Sequence, residues 1–260
     1  CAFIPTLIQP THYVKGDIPM VSLLVLAYLF IYSAYNTGQV KYYILSGLTL
    51  GIATGFKYTA GLAGSGIIAL ILIQAFQKKK IPDLIKGLGL LFCFWVLGFI
   101  LTTPYAVLDG RTFIHDLLDQ SSYHASGHAG IQHNIFVNLW EYIKILTRYG
   151  GQLSPLGICT CGGIILALTR CKPADWLLLI ILGLTLFLVA NQQLIVTHYA
   201  FALFPVIIIL AADFIQWLTV VINTRLAIPP FARRGLAVCI LLLCFIPSLV
   251  HSLNDNIKLS

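Results

Sequence analysis

The chain has 260 residues, of which 58% are hydrophobic and 10% charged, and its mean hydropathy is +0.90. Soluble domains average about 25% charged residues, so this composition excludes a water-soluble globule and indicates an integral, polytopic membrane protein. The net charge of +7 fits anchoring of membrane helices on the cytoplasmic side. No basic stripe is long enough to favour nucleic acid as a partner, so we expect the lipid bilayer to be the main one. The chain starts at Cys1 without an initiator methionine or a signal peptide, and we expect an N-terminally truncated fragment.

Apolar stretches of near-membrane length recur along the chain. A transmembrane helix needs about 20 such residues, because each residue advances about 1.5 Å across about 30 Å of hydrocarbon. Eight stretches approach this length: residues 18–36, 42–56, 58–77, 85–103, 153–169, 175–191, 199–218 and 236–251. The sequence predicts an all-α fold, a polytopic transmembrane bundle of about eight spans. The second and third stretches flank Phe56-Lys57-Tyr58, so they are either two tight spans or a broken re-entrant hairpin.

Charge separates by side when the spans are threaded alternately through the membrane. All seven histidines and six of the nine carboxylates fall on one side. Ten of the 16 basic residues fall on the other side, which the positive-inside rule assigns to the cytoplasm: Lys41, Lys78, Lys79, Lys80, Lys86, Arg170, Lys172, Arg225, Arg233 and Arg234. We therefore expect the chemistry on the extracytoplasmic face. We also expect a transmembrane domain over 1–218, followed by a basic loop and a C-terminal span over 219–260.

Two outward positions carry ionisable groups at the edge of a span. Asp17 lies where the first span begins, five residues after His12. The two side chains could share a divalent metal or hold a phosphate-bound metal, or Asp17 could cap the helix N-terminus. Lys57, between the second and third apolar stretches, either extends its ammonium to the interface or binds an anion.

Three later segments also face outward. Residues 103–134 contain Asp109, His124 and His128. His124 and His128 have the spacing of a zinc pair on a helix, but Ser126-Gly127 disfavours a helix, and no Glu accompanies them as in a zinc protease. We expect instead a loop that closes over a substrate, because long loops in compact domains are often functional. The pattern of residues 135–149 predicts an amphipathic interfacial helix, with Trp140, Tyr142 and Tyr149 as anchors. The helix either only anchors the chain, or it also binds a phosphate through Lys144 and Arg148. Residues 192–199, which include His198, either line a site or only form a loop.

Several motifs together resemble a known family. They are His12-Tyr13-x3-Asp17-x-Pro19, Gly55-Phe56-Lys57-Tyr58-Thr59, Pro104-Tyr105-x3-Asp109, His124-x3-His128-x-Gly130 and His198-Tyr199-x5-Pro205. The chain up to about residue 215 resembles the membrane glycosyltransferases of the C superfamily. The nearest branch is the dolichyl-phosphate-mannose protein mannosyltransferase family, which is similar to glycosyltransferase family 39 and includes bacterial lipid A aminoarabinose transferases.

The resemblance implies an inverting transfer of a sugar from a polyprenyl-phosphate donor to a protein, lipid or glycan, without a nucleotide cofactor. It implies catalytic roles for Asp17 and Lys57, and a divalent metal (Mg, Mn or Zn) held by Asp17 and His12. Donor-phosphate or substrate contacts are implied for a larger set: His12, Tyr58, Tyr105, Asp109, His124, His128, Lys144, Arg148 and His198. The family's acidic first outward loop, which usually supplies the general base, would lie before Cys1.

Other functions are compatible with the same sequence. A transporter or flippase of lipid-linked intermediates would need ionisable residues at mid-membrane, and the predicted spans are nearly free of them apart from Asp213. A non-catalytic membrane scaffold is the third alternative. The short outward segments favour a bacterial inner (plasma) membrane as the location.

Overall fold

The computed structural model describes residues 16–78, 81–126, 134–149, 152–191 and 197–225, and these are almost entirely helical. The elements in chain order are α1 (Asp17–Thr37), α2 (Val40–Phe56), a first 3-10 helix (Tyr58–Leu62), α3 (Ala63–Lys78), α4 (Ile81–Thr102), α5 (Tyr105–Leu108), α6 (Gly110–Ser126), α7 (Ile135–Thr147), β1 (Arg148–Tyr149), β2 (Gln152–Leu153), α8 (Pro155–Arg170), α9 (Pro173–Ala190), a second 3-10 helix (Thr197–Leu203) and α10 (Phe204–Arg225). The predicted all-α class is confirmed.

The long apolar helices agree with the predicted spans. Within the described ranges, five segments are long and apolar enough to cross a membrane: Asp17–Thr37, Tyr58–Gln77, Ile85–Thr102, Pro173–Ala190 and Ala200–Arg225. The predicted spans at 42–56 and 153–169 correspond to the shorter helices α2, of 17 residues, and α8, of 16 residues. The predicted eighth span, 236–251, lies outside the described residues. The chain is thus an integral membrane protein.

The pair α2 and α3 forms two antiparallel crossings rather than a re-entrant hairpin. The end of α2 lies at the start of α1, where a Cβ on Gly16 would approach the Phe56 carbonyl oxygen to 2.8 Å. At the other end of α1, the Tyr35 hydroxyl donates to Gln77 near the end of α3, at 2.8 Å. Because the chain passes from one end of α1 to the other between Phe56 and Gln77, α3 also traverses the full length of α1.

Contacts divide the chain into two compact units, each with its own core. The first unit comprises Gly16–Tyr142 and Lys172–Leu203. In it α1 packs on α2, α2 on α4 and α9 on α3. Small residues allow these helices to approach closely, since a Cβ on Gly51 would lie 2.1 Å from the Trp95 carbonyl oxygen.

The described part of the second unit lies within Ile143–Cys171 and 204–225. Its main contact is between α8 and α10, where a Cβ on Gly163 would lie 2.2 Å from the Leu210 carbonyl oxygen. The Ser154 hydroxyl caps α8 by accepting from the Gly157 amide at 2.9 Å. At the other end of α8, both terminal nitrogens of Arg170 donate to the Asp213 carboxylate of α10.

The predicted outward loop at 103–134 is helical over most of its length. Helix α6 begins after Asp109, whose side chain accepts from the Thr112 amide at 3.2 Å. It continues to Ser126, so the expectation that Ser126-Gly127 places His124 in a loop is wrong. Local pairs such as His115 with Asp119, one turn apart at 3.1 Å, support a helix through a segment of low overall hydrophobicity. Residues 127–133 lie outside the described ranges.

The helix predicted at 135–149 is confirmed for Ile135–Thr147 and wrong for its last two residues, and its place at the membrane interface stays a prediction. Arg148 and Tyr149 form β1, which pairs antiparallel with β2. In sequence Gly150-Gly151 separates the two strands, and such a pair favours a tight hairpin over a continuing helix. The predicted anchor Tyr142 is fully buried, because it lies on the same face as the buried Asn138 and Leu146.

Candidate functional site

The central feature of the first unit is an ion pair between the predicted residues Asp17 and Lys57. The Lys57 ammonium donates to the Asp17 carboxylate. Lys57 lies at the break between α2 and the first 3-10 helix, with extended backbone at φ −161° and ψ 124°. Its amide donates to the Ala53 carbonyl at 3.1 Å and its carbonyl accepts from the Ala60 amide at 2.9 Å, so the break is held on both sides.

Asp17 lies in the first turn of α1, and the residue at the N-cap is Gly16, which offers no side-chain cap. The interpretation of Asp17 as a helix cap is therefore wrong, although its charge favours the positive end of the helix dipole. The absence of a side chain at Gly16 also lets the start of α1 approach Phe56, the last residue of α2. Lys57 follows Phe56 directly in the sequence.

The two charges differ in their access to solvent. The Asp17 side chain is 4% exposed, whereas the Lys57 side chain is 19% exposed. A buried carboxylate needs a cation or several donors, and Lys57 is such a partner. The Lys57 ammonium also lies 5.9 Å from the centre of the Phe201 ring, within the range of a cation–π contact. The Asp17 carboxylate and the Phe201 ring thus orient the Lys57 side chain, while part of that side chain stays accessible to solvent.

Phe201 brings the segment of His198 to this site. It belongs to the second 3-10 helix, Thr197–Leu203, which packs against α1 and against the first 3-10 helix. The backbone of His198 lies in this helix and its side chain lies outside the description, so a role of His198 in the site stays a prediction. Sequence analysis missed Phe201. Its position three residues after His198 could have drawn attention to it, but its contact with Lys57 could not be found from the sequence.

Tyr58, next to Lys57, belongs to a cluster of three aromatic rings. Its ring centre lies 6.3 Å from that of Phe99 on α4 and 6.4 Å from that of Phe113 on α6. The third pair, Phe99 with Phe113, is 6.1 Å apart. The cluster joins α6 to the end of the bundle that carries Lys57, and Tyr58 remains half exposed. Phe113 was not predicted, because α6 was not expected to be a helix.

The predicted pair Tyr105 and Asp109 forms a local hydrogen bond at the start of α6. The Tyr105 hydroxyl donates to the Asp109 carboxylate at 3.2 Å. Hydrogen bonds from the Thr112 side chain and amide lower the pKa of the Asp109 carboxyl below its ordinary value of 3.8. The hydrogen bond to Asp109 raises the pKa of Tyr105 above its ordinary value of 10.0. Asp109 thus acts as a cap of α6.

The remaining predicted residues are not brought to Lys57 by any described contact. His12 and His128 lie outside the described residues. His124 is in α6, but its side chain is not described. Lys144 lies in α7 and belongs to the second unit, and Arg148 is in β1.

The predicted metal site cannot be completed from the described residues. In those ranges there is no group of three or more His, Cys, Asp or Glu side chains that could hold a metal. The cation that contacts Asp17 is the Lys57 ammonium. A metal shared by Asp17 and His12 stays a prediction, and we derive no chemical step from it.

One comparison with known proteins matches the part of the chain that contains Asp17 and Lys57. The sequence model of the dolichyl-phosphate-mannose-protein mannosyltransferase family matches residues 1–101. This confirms the resemblance for the part that contains both residues of the ion pair, and it supports a glycosyltransferase of the membrane mannosyltransferase type. The motifs from Tyr105 to His198 lie beyond the match. No curated protein and no solved structure matches the chain.

Proposed function

We propose that this chain, a membrane glycosyltransferase of the mannosyltransferase type, transfers a sugar from a polyprenyl-phosphate donor to a hydroxyl of a protein, lipid or glycan acceptor, with inversion at the sugar carbon. The observation that supports the proposal is the ion pair of Asp17 with the partly accessible Lys57, within the part of the chain that matches the family. The donor's lipid tail would remain in the bilayer while its phosphate reaches Lys57.

Lys57 is the group that can stabilise the leaving phosphate. In the reaction the bond between the sugar carbon and the phosphate oxygen breaks, and the electron pair stays on that oxygen. A preorganised ammonium at this place favours the transition state over the ground state, because negative charge grows on the phosphate as the bond breaks. The acceptor oxygen forms the new bond to the sugar carbon from the opposite side and gives its proton to a general base.

Asp17 then acts as a positioning residue for Lys57. Its carboxylate is almost entirely enclosed, so it contacts Lys57 rather than a substrate. A fixed negative partner limits the rotamers of the long Lys57 side chain, which reduces the entropy lost when the phosphate binds. The Phe201 ring adds a second constraint on the same ammonium.

The extracytoplasmic face of a bacterial plasma membrane is the proposed location of this site. Lys41 and Lys86, from the predicted cytoplasmic loops, belong to the ends of α2 and α4 that lie away from Lys57. The predicted sidedness therefore places Asp17 and Lys57 on the outer side.

A binding experiment tests the role of Lys57 separately from turnover. The purified chain is reconstituted in nanodiscs and titrated with a polyprenyl phosphate, which is the leaving group of the proposed reaction. We expect Lys57→Met to weaken binding roughly tenfold or more, because a hydrogen bond to a charged group is lost. Lys41→Met is the matched control, since this exposed lysine lies at the other end of α2.

Transfer is then measured with radiolabelled polyprenyl-phosphate sugars and the same variants. We expect Lys57→Met to reduce transfer strongly, Lys57→Arg to retain part of it and Lys41→Met to leave it unchanged. Equal binding and transfer by Lys57→Met and the parent would refute the role of Lys57. Movement of intact donor across proteoliposome membranes without any transfer would favour a flippase.

A further inference from the structure

A cavity with polar and apolar lining lies at the end of the first unit that is remote from Lys57. It has a volume of about 320 Å³, within the range of small-ligand pockets, and lies between the ends of α1, α2, α3 and α4. Its apolar lining includes Ile71 and Leu90, and its polar lining includes Tyr43, Gln74, Asp83 and Lys86.

This cavity is separate from the site of Asp17 and Lys57. Its lining includes Thr37, the last residue of α1, whereas Asp17 is the first. The 21 residues of α1 correspond to about 30 Å of helix, which is the thickness of the hydrocarbon core. The two sites therefore lie at opposite surfaces of the membrane.

The inner polar wall is held by hydrogen bonds between helices. The Tyr43 hydroxyl of α2 donates to the Gln74 side-chain oxygen of α3 at 2.8 Å. The Gln74 side-chain nitrogen donates to the Tyr35 carbonyl of α1 at 3.0 Å. Tyr43 and Gln74 are each 8% exposed, so the polar wall is fixed before any ligand enters.

The rim of the cavity carries both signs of charge. Asp83 and Lys86 lie one turn apart on α4, and both side chains are exposed. The cavity thus combines apolar side chains, a neutral polar wall and a rim with one carboxylate and one ammonium, at the level where apolar helices end. This set of surfaces complements a lipid whose headgroup contains a phosphate and an amine.

We propose that this cavity binds the headgroup of an aminophospholipid of the phosphatidylethanolamine type. Lys86 donates to the lipid phosphate, and Asp83 accepts from the primary ammonium. The start of the acyl chains contacts Ile71 and Leu90. A phosphatidylglycerol headgroup lacks the amine for Asp83, and a phosphatidylcholine headgroup carries a quaternary ammonium without N–H donors, so each makes only one of the two charge-assisted hydrogen bonds.

Native mass spectrometry of the delipidated chain in detergent tests this assignment, with three lipids of identical acyl chains. We expect phosphatidylethanolamine to bind roughly tenfold more tightly than phosphatidylglycerol or phosphatidylcholine, the factor for one charge-assisted hydrogen bond. Lys86→Gln should weaken phosphatidylethanolamine by a similar factor. Asp83→Asn should weaken phosphatidylethanolamine and leave phosphatidylglycerol unchanged. Lys41→Gln is the matched control, because this lysine is close in the sequence to the cavity residue Val40 but is absent from the lining.

A cavity-filling variant makes the test independent of charge. Ala75 lines the cavity, so the larger side chain of Ala75→Leu should abolish selective retention of phosphatidylethanolamine. The unfolding temperature of the lipid-free variant should equal that of the lipid-free parent. Equal retention of phosphatidylethanolamine and phosphatidylglycerol, or full retention by Ala75→Leu, would overturn the proposal. Competition by soluble glycerophosphoethanolamine as effective as that by the lipid would also overturn it, since the ligand would then be a free headgroup.

Discussion

Lys57 and Asp17 are 40 residues apart in sequence and form an ion pair at one end of the first unit. The pair joins the first turn of α1 to the break after α2. Because Asp17 is almost fully enclosed and Lys57 is not, the pair has a closed anionic side and an accessible cationic side. That asymmetry is what favours a phosphate, rather than a cation, as the ligand of this site.

The first prediction concerns the energetic coupling of this pair. Lys57→Met leaves the enclosed Asp17 carboxylate without this cation. We expect the free energy of unfolding to fall by about 3 kcal/mol. This is the lower end of the range for a broken buried pair, because Lys57 is partly exposed. The double variant Asp17→Asn with Lys57→Met should recover most of that loss, because no buried charge remains. Unfolding in mixed micelles measures the free energies of Lys57→Met, Asp17→Asn and the double variant relative to the parent, and Lys41→Met is the control. Additive effects of the two single changes would show that the residues are not coupled.

The second prediction concerns the close packing of α2 on α4. A Cβ on Gly51 would lie 2.1 Å from the Trp95 carbonyl oxygen, so Gly51→Ala must separate the two backbones. We expect a loss of about 1–3 kcal/mol, as for overpacking in a core.

Gly89→Ala is the matched control for this change. Gly89 lies in α4 as well, and a Cβ there meets nothing within 4 Å. It should be neutral or should stabilise the helix by up to about 1 kcal/mol, since alanine is the better helix former. The unfolding temperatures of both variants provide the measurement, and equal effects would contradict the close approach of α2 and α4.

The sequence predicted the elements better than the contacts between them. Apolar length was sufficient to find α1, α3, α4, α9 and α10, because crossing the hydrocarbon imposes that length on any sequence. The sequence also predicted functional roles for Asp17 and Lys57. It did not predict their contact, because a pairing over 40 residues depends on how α1 and α2 pack. The contact of Lys57 with Phe201 is hidden for the same reason.

Local errors have local causes. Helix α6 was predicted as a loop because Ser126-Gly127 disfavours a helix, but Ser126 is the last residue of the helix rather than a break within it. The start of α6 depends on Asp109, whose side chain caps the helix. In sequence, an Asp in a segment rich in Asp and His is equally compatible with a helix cap and with a loop. Arg148 was assigned to a helix from its spacing with Lys144, although the glycine pair that follows favours a hairpin.

The third prediction concerns the pH dependence of the cap of α6. The pKa of Asp109 is lowered in the folded chain, so its stabilising effect is present above its ordinary value of 3.8 and is lost as the pH falls through the lower folded value. We expect amide exchange at Thr112 and Phe113 to accelerate, relative to the intrinsic rate, as the pH falls below that range. Asp109→Asn should remove this pH dependence, because an amide can cap without ionising. Asp116→Asn on the same helix is the control, and an equal effect of both variants would contradict the assignment of Asp109 as the cap.

The fourth prediction concerns Arg170 and Asp213, which join α8 to α10 in the second unit. Arg170 donates through both terminal nitrogens, one of them at 3.2 Å, to the two carboxylate oxygens. A lysine cannot reproduce this fork, so Arg170→Lys should cost part of the stability of the pair. The side chains are 26% and 32% exposed, and solvent screening limits the loss to about 1 kcal/mol. Arg170→Leu should cost more than the double change Arg170→Leu with Asp213→Leu, since the single change leaves a carboxylate beside apolar helix surface. Unfolding free energies measure this difference, and a double variant less stable than Arg170→Leu would show that the pair itself is not the source of the effect.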